Sequence, residues 1–355
     1  MFASYTEFMI FSKTLISWYS NNKRELPWRQ TINPYCIWLS EIILQQTQVA
    51  QGQPYYEAFL REFPTIFHLA NAQESQVLKL WQGLGYYSRA RNLHATAKYV
   101  VSELNGVFPN NYQELLKLKG VGDYTASAIA SICFNEPTAV VDGNVYRVLS
   151  RYFGIDTPIN SSKGSKEFKL LAQQLIDKNH PAEFNQAIME FGAVQCKPQN
   201  PNCNICPFQD SCEALKNNQI SELPVKIKAA KAKKKYFNFL VLLSEDNKTI
   251  LEKRHGKGIW QNLYQFPLIE TDKEVNFETF NLLIKEYHLL KDITFQLSLY
   301  NEDVIIHKLS HQHLYTKFWI VAMNGHLVNG IPTSEVRNYA VPIVLGNFIE
   351  VFNFQ

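Results

Sequence analysis

Residues 112–134, YQELLKLKGVGDYTASAIASICF, set two helical segments around the turn Lys119-Gly120-Val121-Gly122-Asp123. Two glycines let the backbone turn tightly and come close to another chain without Cβ collisions. The second segment then points its first amides outward, and a helix N-terminus of that kind suits an anion. A bare αα-corner has the same outline, and Gly120-Val121-Gly122 taken by itself supports no more than that.

Working outward from this turn, segments 34–50, 74–81, 89–104, 124–134 and 144–153 have helical length and spacing. Gly, Pro and Asn separate them, so residues 1–215 are expected to form an all-α domain. From residue 236 the texture changes. YFNFLVLLS, KTILEKR, DVIIHKLS and HLYTKFWIVAM are short and rich in β-branched and aromatic residues, with a helical stretch at 277–289 and another near the end. Residues 236–355 are therefore expected to be a second, α+β domain. Residues 216–235 are expected to connect the two; Val225–Lys235 holds six lysines and no acid. A run of this kind is a solvated linker first, and it is also well placed to lie along phosphates.

Cys196, Cys203, Cys206 and Cys212 are separated by six, two and five residues. Four thiolates so close together suit a [4Fe–4S] cluster. A structural zinc site is the competitor, but such sites pair two short knuckles across a longer gap, and only Cys203–Cys206 has that shape. Composition fits an ordinary soluble protein of two domains: 355 residues, 46% hydrophobic, 19% charged, net charge +3. The start lacks a basic n-region followed by an apolar core, and no run approaches the roughly 20 apolar residues of a spanning helix. A reducing cytoplasm, in contact with the nucleoid, is the expected location, and no membrane partner is expected. Cys36 and Cys133, among apolar neighbours, read as core residues.

Two carboxylates stand out. Glu41 is the only charged side chain between Arg29 and Glu57, and Ile37, Trp38, Leu44 and Gln45 share its helical face. Desolvation there raises a carboxyl towards the range of a general acid; a buried structural glutamate is the alternative. Asp142 follows the apolar run TAVV and begins the helix of NVYRVLSRYF. Near a helix N-terminus it is favoured as the anion, and taken in isolation simple capping is the better reading. Together the pair suits sugar-bond hydrolysis, with one carboxyl protonating the leaving group and the other stabilising an oxocarbenium-like sugar.

SEIILQQTQV (40–49), VDGNVYRVL (141–149), the cysteine spacing and the nine-position pattern L-x-G-V-G-x-Y-T-A resemble the MutY-type adenine DNA glycosylases of the endonuclease III superfamily. The resemblance implies a helix-hairpin-helix glycosylase fold with a [4Fe–4S] subdomain. It also implies a monomeric enzyme of base excision repair acting on double-stranded DNA with A:8-oxoguanine or A:G mispairs. By the same resemblance Glu41 protonates adenine and helps activate water, Asp142 stabilises the C1′ cation, and Tyr124 and Asn144 hydrogen-bond around them. Arg24, Trp28, Leu44 and Gln186 match the adenine pocket, although Trp28 also reads as core and Arg24 as a surface charge. Arg29, Gln46, Thr47, Gln48, Leu84 and Tyr86 match the DNA and lesion side, with Tyr86 as a wedge and Tyr87 as core. Gly120, Val121 and Gly122 match the phosphate-gripping hairpin. For Arg89 and Arg91, phosphate contact and a solvated face are equally good readings.

In the second domain WQNLYQFP resembles the W-x-G-L-W-E-F-P of the family's Nudix-like 8-oxoguanine-recognition domain, with Asn262 and Tyr264 as departures. Ser310 and His311 fall where the family senses the oxidised guanine, while Leu309 replaces an aromatic. The clustered glutamates of a Nudix hydrolase are absent, so no pyrophosphatase activity is expected. Bifunctional relatives carry lysine where this chain has Tyr124, and a phenol cannot form their Schiff base. A monofunctional glycosylase is expected. The alternatives are an endonuclease III-like glycosylase/lyase and a non-catalytic lesion sensor.

Overall fold

The computed structural model describes residues 5–228, 231–291 and 293–354. The first four residues and 229–230 of the expected connector lie outside the described residues. The chain divides into two compact units, Met1–Asn71 with Asn92–Lys228, and Ala72–Arg91 with Ala229–Gln355. No helix among the described residues is long and apolar enough to cross a membrane.

The first unit is helical throughout its regular elements. Its core gathers Phe11, Leu15, Phe168, Phe184, Phe191 and Phe208, and Cys196 and Cys206 pack against that core. A fully buried side chain of this size contributes roughly 1.5–3 kcal/mol, so the aromatic cluster anchors the cysteine loop to the helices. The hairpin forms as the glycine spacing suggests. Helix Tyr112–Leu115 is followed by a turn, and helix Asp123–Phe134 starts directly after Gly122. Gly120 sits at φ +80° with Asn92 only 2.8 Å from where a Cβ would lie, so no larger residue fits there. One expectation needs correction. The segment 34–50 is not one helix: Pro34–Leu44 ends, Gln46 takes the left-handed conformation (φ 54°), and a new helix runs Val49–Glu62. The turn lifts Gln46 and Gln48 into solvent.

The second unit is a mixed five-stranded sheet. Strand Lys233–Ser244 runs parallel to Gln312–Met323 along its whole length and pairs antiparallel with Leu268–Thr271. Strands Phe295–Leu299 and Ile305–Lys308 pair antiparallel with Gln312–Met323. Lys233–Lys235, expected in the connector, already belong to the first strand. The period-2 alternation sorts the central strands into two faces. Leu240 and Leu242 lie with Trp319 and Val321 against helix Phe277–Lys285, where Phe280 stacks on Trp319 at 4.0 Å. Phe239 and Phe318 turn to helix Ile343–Val351, where Phe318 stacks on Phe348 at 4.1 Å.

Residues 72–91 are held within this same unit. Lys79 Nζ donates to the carbonyls of Arg337 and Tyr339, Gln82 accepts from the Val341 amide, and Tyr87 OH donates to the Val341 carbonyl. Asn262, a departure in the tryptophan motif, has φ 65° and donates its side-chain amide to Glu74 at 2.6 Å. Asparagine tolerates that backbone, and the bond gives it a use glycine lacks.

Candidate active site

Helix Pro34–Leu44 starts where Asn33 caps the Tyr35 amide and Pro34 needs no amide partner. One turn before the helix ends, Glu41 points into the first unit with only 8% of its surface exposed. Burial above all, with the neighbouring Asp142 charge adding to it and a hydrogen bond from Tyr124 opposing, pushes its carboxyl up to about 7. Arg29 opposes the shift weakly. The Tyr124 hydroxyl also lies 3.1 Å from Sδ of Met189, and its own pKa is driven upward by burial and by both carboxyls. Tyr124 is therefore a neutral donor.

Asp142 is the N-cap of helix Gly143–Phe153. Its Oδ1 accepts from the amides of Asn144 (2.9 Å) and Val145 (2.8 Å), and its Oδ2 accepts from Asn144 Nδ2 at 2.8 Å. These bonds and Arg147 favour the anion, yet burial outweighs them and the net direction is upward. Capping alone was expected to hold this group ionised; the structure adds a desolvation cost. The two carboxyls share one buried environment, and the Asp142 charge favours the protonated form of Glu41. Three donated bonds reach Asp142, so the proton is better placed on Glu41.

Arg147 extends this arrangement. It donates to Asn144 Oδ1 (2.8 Å), to the Gly192 carbonyl (2.6 Å) and to the Cys196 carbonyl (2.7 Å). Thus one buried guanidinium joins the residue that holds Asp142 to the first cysteine of the motif. Gly192 lies in a π-helical turn, Phe191–Gln195, pressed against Asn144. An added Cβ would meet Asn144 Cβ at 2.6 Å and its carbonyl oxygen at 2.9 Å. The backbone cannot yield as a side-chain tip would. Gly192→Ala is expected to cost about 1–3 kcal/mol of stability and to lower catalytic rate more than tenfold by displacing Asn144. Denaturant midpoints and single-turnover rates check both.

Two of the expected site residues, Arg24 and Arg29, meet at an acid that the sequence did not flag. Glu190, 1% exposed, accepts from Arg24 Nε and Nη2 at 2.7 Å and from Arg29 Nη2 at 2.7 Å. Those bonds override burial and hold it down to about 2. Arg24 is therefore ion-paired to a buried acid while 39% of its side chain stays exposed. Arg29, expected on the DNA side, is turned inward; it also donates to the Arg24 carbonyl. Gln186, one turn before Glu190 on helix Pro181–Glu190, accepts from Tyr19 OH at 3.0 Å. Trp28 is buried edge-to-face against Tyr56, and Leu44 is half-buried. Arg24 with Glu190 forms an i-to-distant pair that only the fold assembles; the signal in sequence was Glu190 four residues after Gln186.

Cys196, Cys203, Cys206 and Cys212 line a single cavity with Phe191, Phe208 and Arg151. Arg151 donates to the Lys197 and Pro198 carbonyls (2.7 and 3.0 Å) and reaches Cys196 Sγ at 3.5 Å. Burial pushes Cys203 and Cys212 upward and Cys206 up to about 11. Among the described residues, no three His, Cys, Asp or Glu side chains converge on the position of one metal ion. The thiols stand around a space instead.

In the second unit a cavity of about 490 Å³ brings together Leu84, Tyr86, Trp260, His307, Ser310 and His311. Tyr86, half exposed at φ 45°, stands on the loop between Gly83 and Ser88. Leu84 is buried on its wall. Arg89 is not a solvated face: it is buried, donates to the Leu84 and Gly85 carbonyls, and lies over the Trp81 and Tyr86 rings. Arg91 donates to the Gln261 carbonyl. Ser310 and His311 are exposed at the rim, and Tyr87 is core, as expected.

Residues 39–177 match the profile of the HhH-GPD superfamily of base excision DNA repair proteins, and residues 238–351 match that of a NUDIX domain. An adenine DNA glycosylase from Buchnera aphidicola is 37% identical over 88% of this chain and 86% of its own length. The adenine DNA glycosylase of Rattus norvegicus is 45% identical over 63% of this chain, which spans only 46% of the rat protein. Among solved structures, a thermostable thymine-DNA glycosylase aligns with TM-score 0.56 and 29% identity, covering 60% of this chain and 98% of that one. A trapped endonuclease III–DNA covalent intermediate aligns at 0.54 and 22%, covering 61% and 99%, and shares the helical fold. The chain belongs to the adenine DNA glycosylase family.

Proposed function

We propose that this chain releases adenine from duplex DNA by hydrolysing its N-glycosidic bond, and that the preferred adenine lies opposite 8-oxoguanine. The observation that carries the reading is the carboxyl pair: Glu41, buried and pushed up to about 7, beside a triply hydrogen-bonded Asp142. At neutral pH a large fraction of Glu41 holds its proton, which it gives to the adenine ring at N7. The C1′–N9 bond then breaks with its electron pair on the base. Asp142 remains anionic beneath the oxocarbenium-like sugar, fixed by Asn144 and the Val145 amide. Water adds to C1′, and Glu41, now ionised, takes the water's proton. Such chemistry requires the nucleotide to leave the stack, and Arg24, Trp28, Leu44 and Gln186 are the walls proposed to receive it.

Phosphate contact falls to the hairpin. Gly122 caps its helix with no side-chain acceptor, leaving first-turn amides to another partner. Its φ of −94° is ordinary, and an added Cβ would meet nothing within 4 Å. The fold itself does not require glycine there, whereas close approach of a DNA backbone does. Gln46, Thr47 and Gln48 offer neutral donors and acceptors to base edges, and the cavity of Leu84, Tyr86, Ser310 and His311 is proposed to read the oxidised guanine.

The four thiols fit a [4Fe–4S] cluster. They line one cavity with apolar walls, and among the described residues no three of the sulfurs converge on the position of a single ion such as zinc. Cys196, Cys203, Cys206 and Cys212 would hold the cluster, with Arg151 donating towards Cys196. The group supplies cross-linking of the 196–212 loop.

Turnover on duplexes with A:8-oxoguanine, A:G and T:G pairs tests the assignment, the last because of the thymine-DNA glycosylase likeness. Adenine release fastest from A:8-oxoguanine is expected, with strand nicks only after alkali. Thymine release exceeding adenine release, or borohydride trapping of DNA at the level of a lysine-bearing enzyme, would contradict it.

A further inference from the structure

Asp123 presents a difficulty for a phosphate-binding hairpin. It is the first residue of helix Asp123–Phe134, directly after Gly122, and its side chain is 47% exposed. An acid in the first turn suits the helix dipole, but here it stands beside the amides that the DNA phosphate must reach. The structure surrounds it with compensating groups. Lys169, from helix Ser162–Leu175, places Nζ 2.8 Å from Asp123 Oδ1 and 3.0 Å from Oδ2. The same ammonium donates to Ser127 Oγ at 3.0 Å and to the Ala139 carbonyl at 2.6 Å. Tyr112 donates its hydroxyl to Asp123 Oδ1 at 2.6 Å, and its ring lies 5.6 Å from Lys169 Nζ.

We propose that Lys169 masks Asp123, with Tyr112 as the second clamp, so that the hairpin amides accept a DNA phosphate without facing an unpaired carboxylate. The inference rests on the reading of the hairpin as a phosphate site. Lys169 has all three of its protons directed at Asp123, Ser127 and Ala139, so its charge cancels a carboxylate instead of reaching outward to DNA. Removing the cation leaves two anions within several ångströms of each other, a repulsion that salt screens only in part at that range.

The test is duplex affinity by fluorescence anisotropy at fixed moderate salt, on the full chain with its cluster, for Lys169→Met, Lys169→Arg, Asp123→Asn, the Lys169→Met/Asp123→Asn pair and Gly122→Asp. Lys169→Met should weaken binding about tenfold, and Lys169→Arg should stay within threefold of wild type. Asp123→Asn alone should bind at least as tightly as wild type, and adding it to Lys169→Met should restore affinity to within threefold. A double variant as weak as Lys169→Met overturns the masking role, because a cation that braces the fold or touches phosphate itself is not rescued by losing the acid. Tenfold weaker binding by Asp123→Asn overturns it equally, and does so even if Lys169→Met fails to fold. Gly122→Asp should weaken binding at least tenfold; wild-type affinity from that variant removes the hairpin reading itself and the inference with it.

Discussion

Glu41→Gln should bind duplex as tightly as wild type and release adenine about 10²–10⁴-fold more slowly. General acid catalysis contributes typically 10²–10⁴-fold, and glutamine keeps the shape while offering no acidic proton. The same substitution should stabilise the protein at alkaline pH. A carboxyl held at about 7 in the fold, above its ordinary value, binds more protons folded than unfolded. Its contribution is therefore intact at low pH and is lost as pH rises from about 4.5 through 7. Above pH 7.5 the wild type carries a buried charge costing on the order of 3 kcal/mol. Urea midpoints at pH 4 and pH 8 should show the variant gaining almost wholly at pH 8. Equal midpoints at both values would mean that Glu41 is not desolvated.

Asp142→Asn should leave folding and DNA affinity near wild type and reduce adenine release by about 10²–10³, the range typical of lost transition-state charge stabilisation. Asparagine still accepts from the Asn144 and Val145 amides through Oδ1 and is as good an N-cap as aspartate. Its amide nitrogen faces Asn144 Nδ2, so the bond to Oδ2 is lost together with the anion opposite the sugar cation, at a cost of about 1 kcal/mol of stability. A second consequence separates an electrostatic from a structural role. The Asp142 charge is one of the influences pushing Glu41 upward, so in this variant the alkaline fall of the residual rate should move to lower pH. A limb at unchanged pH, with a large rate loss, would mean that the substitution disturbs geometry instead.

Both carboxylates were legible because each breaks a local pattern: one charge in a long uncharged stretch, one acid at a helix start after an apolar run. The hairpin and the cysteines were legible because glycine and thiolate spacings restrict what a backbone or metal centre can do. Glu190 was not, since its neutralisation by Arg24 and Arg29 joins residues some 160 positions apart. Lys169 was hidden for the same reason: a lysine on an amphipathic helix reads as solvated until Asp123 and the Ala139 carbonyl converge on it. The break after Leu44 lacked glycine or proline to announce it, because Gln46 itself takes the left-handed turn. The attachment of 72–91 to the second unit rests largely on backbone groups of Arg337, Tyr339 and Val341, which carry no side-chain signature. Tyr86 and Ser310 could be named singly from sequence; that they border one cavity could not.

The claim beneath the whole account is that Glu41 still carries a proton near neutral pH because burial and Asp142 deny it water and charge. The pH dependence of the single-turnover rate of adenine release from saturating duplex reads this directly. The rate should fall above an apparent pKa of about 7 and keep falling to pH 9. A rate flat from pH 6 to pH 9, or one that falls only as pH rises through the ordinary carboxylate range near 4.5, would contradict it.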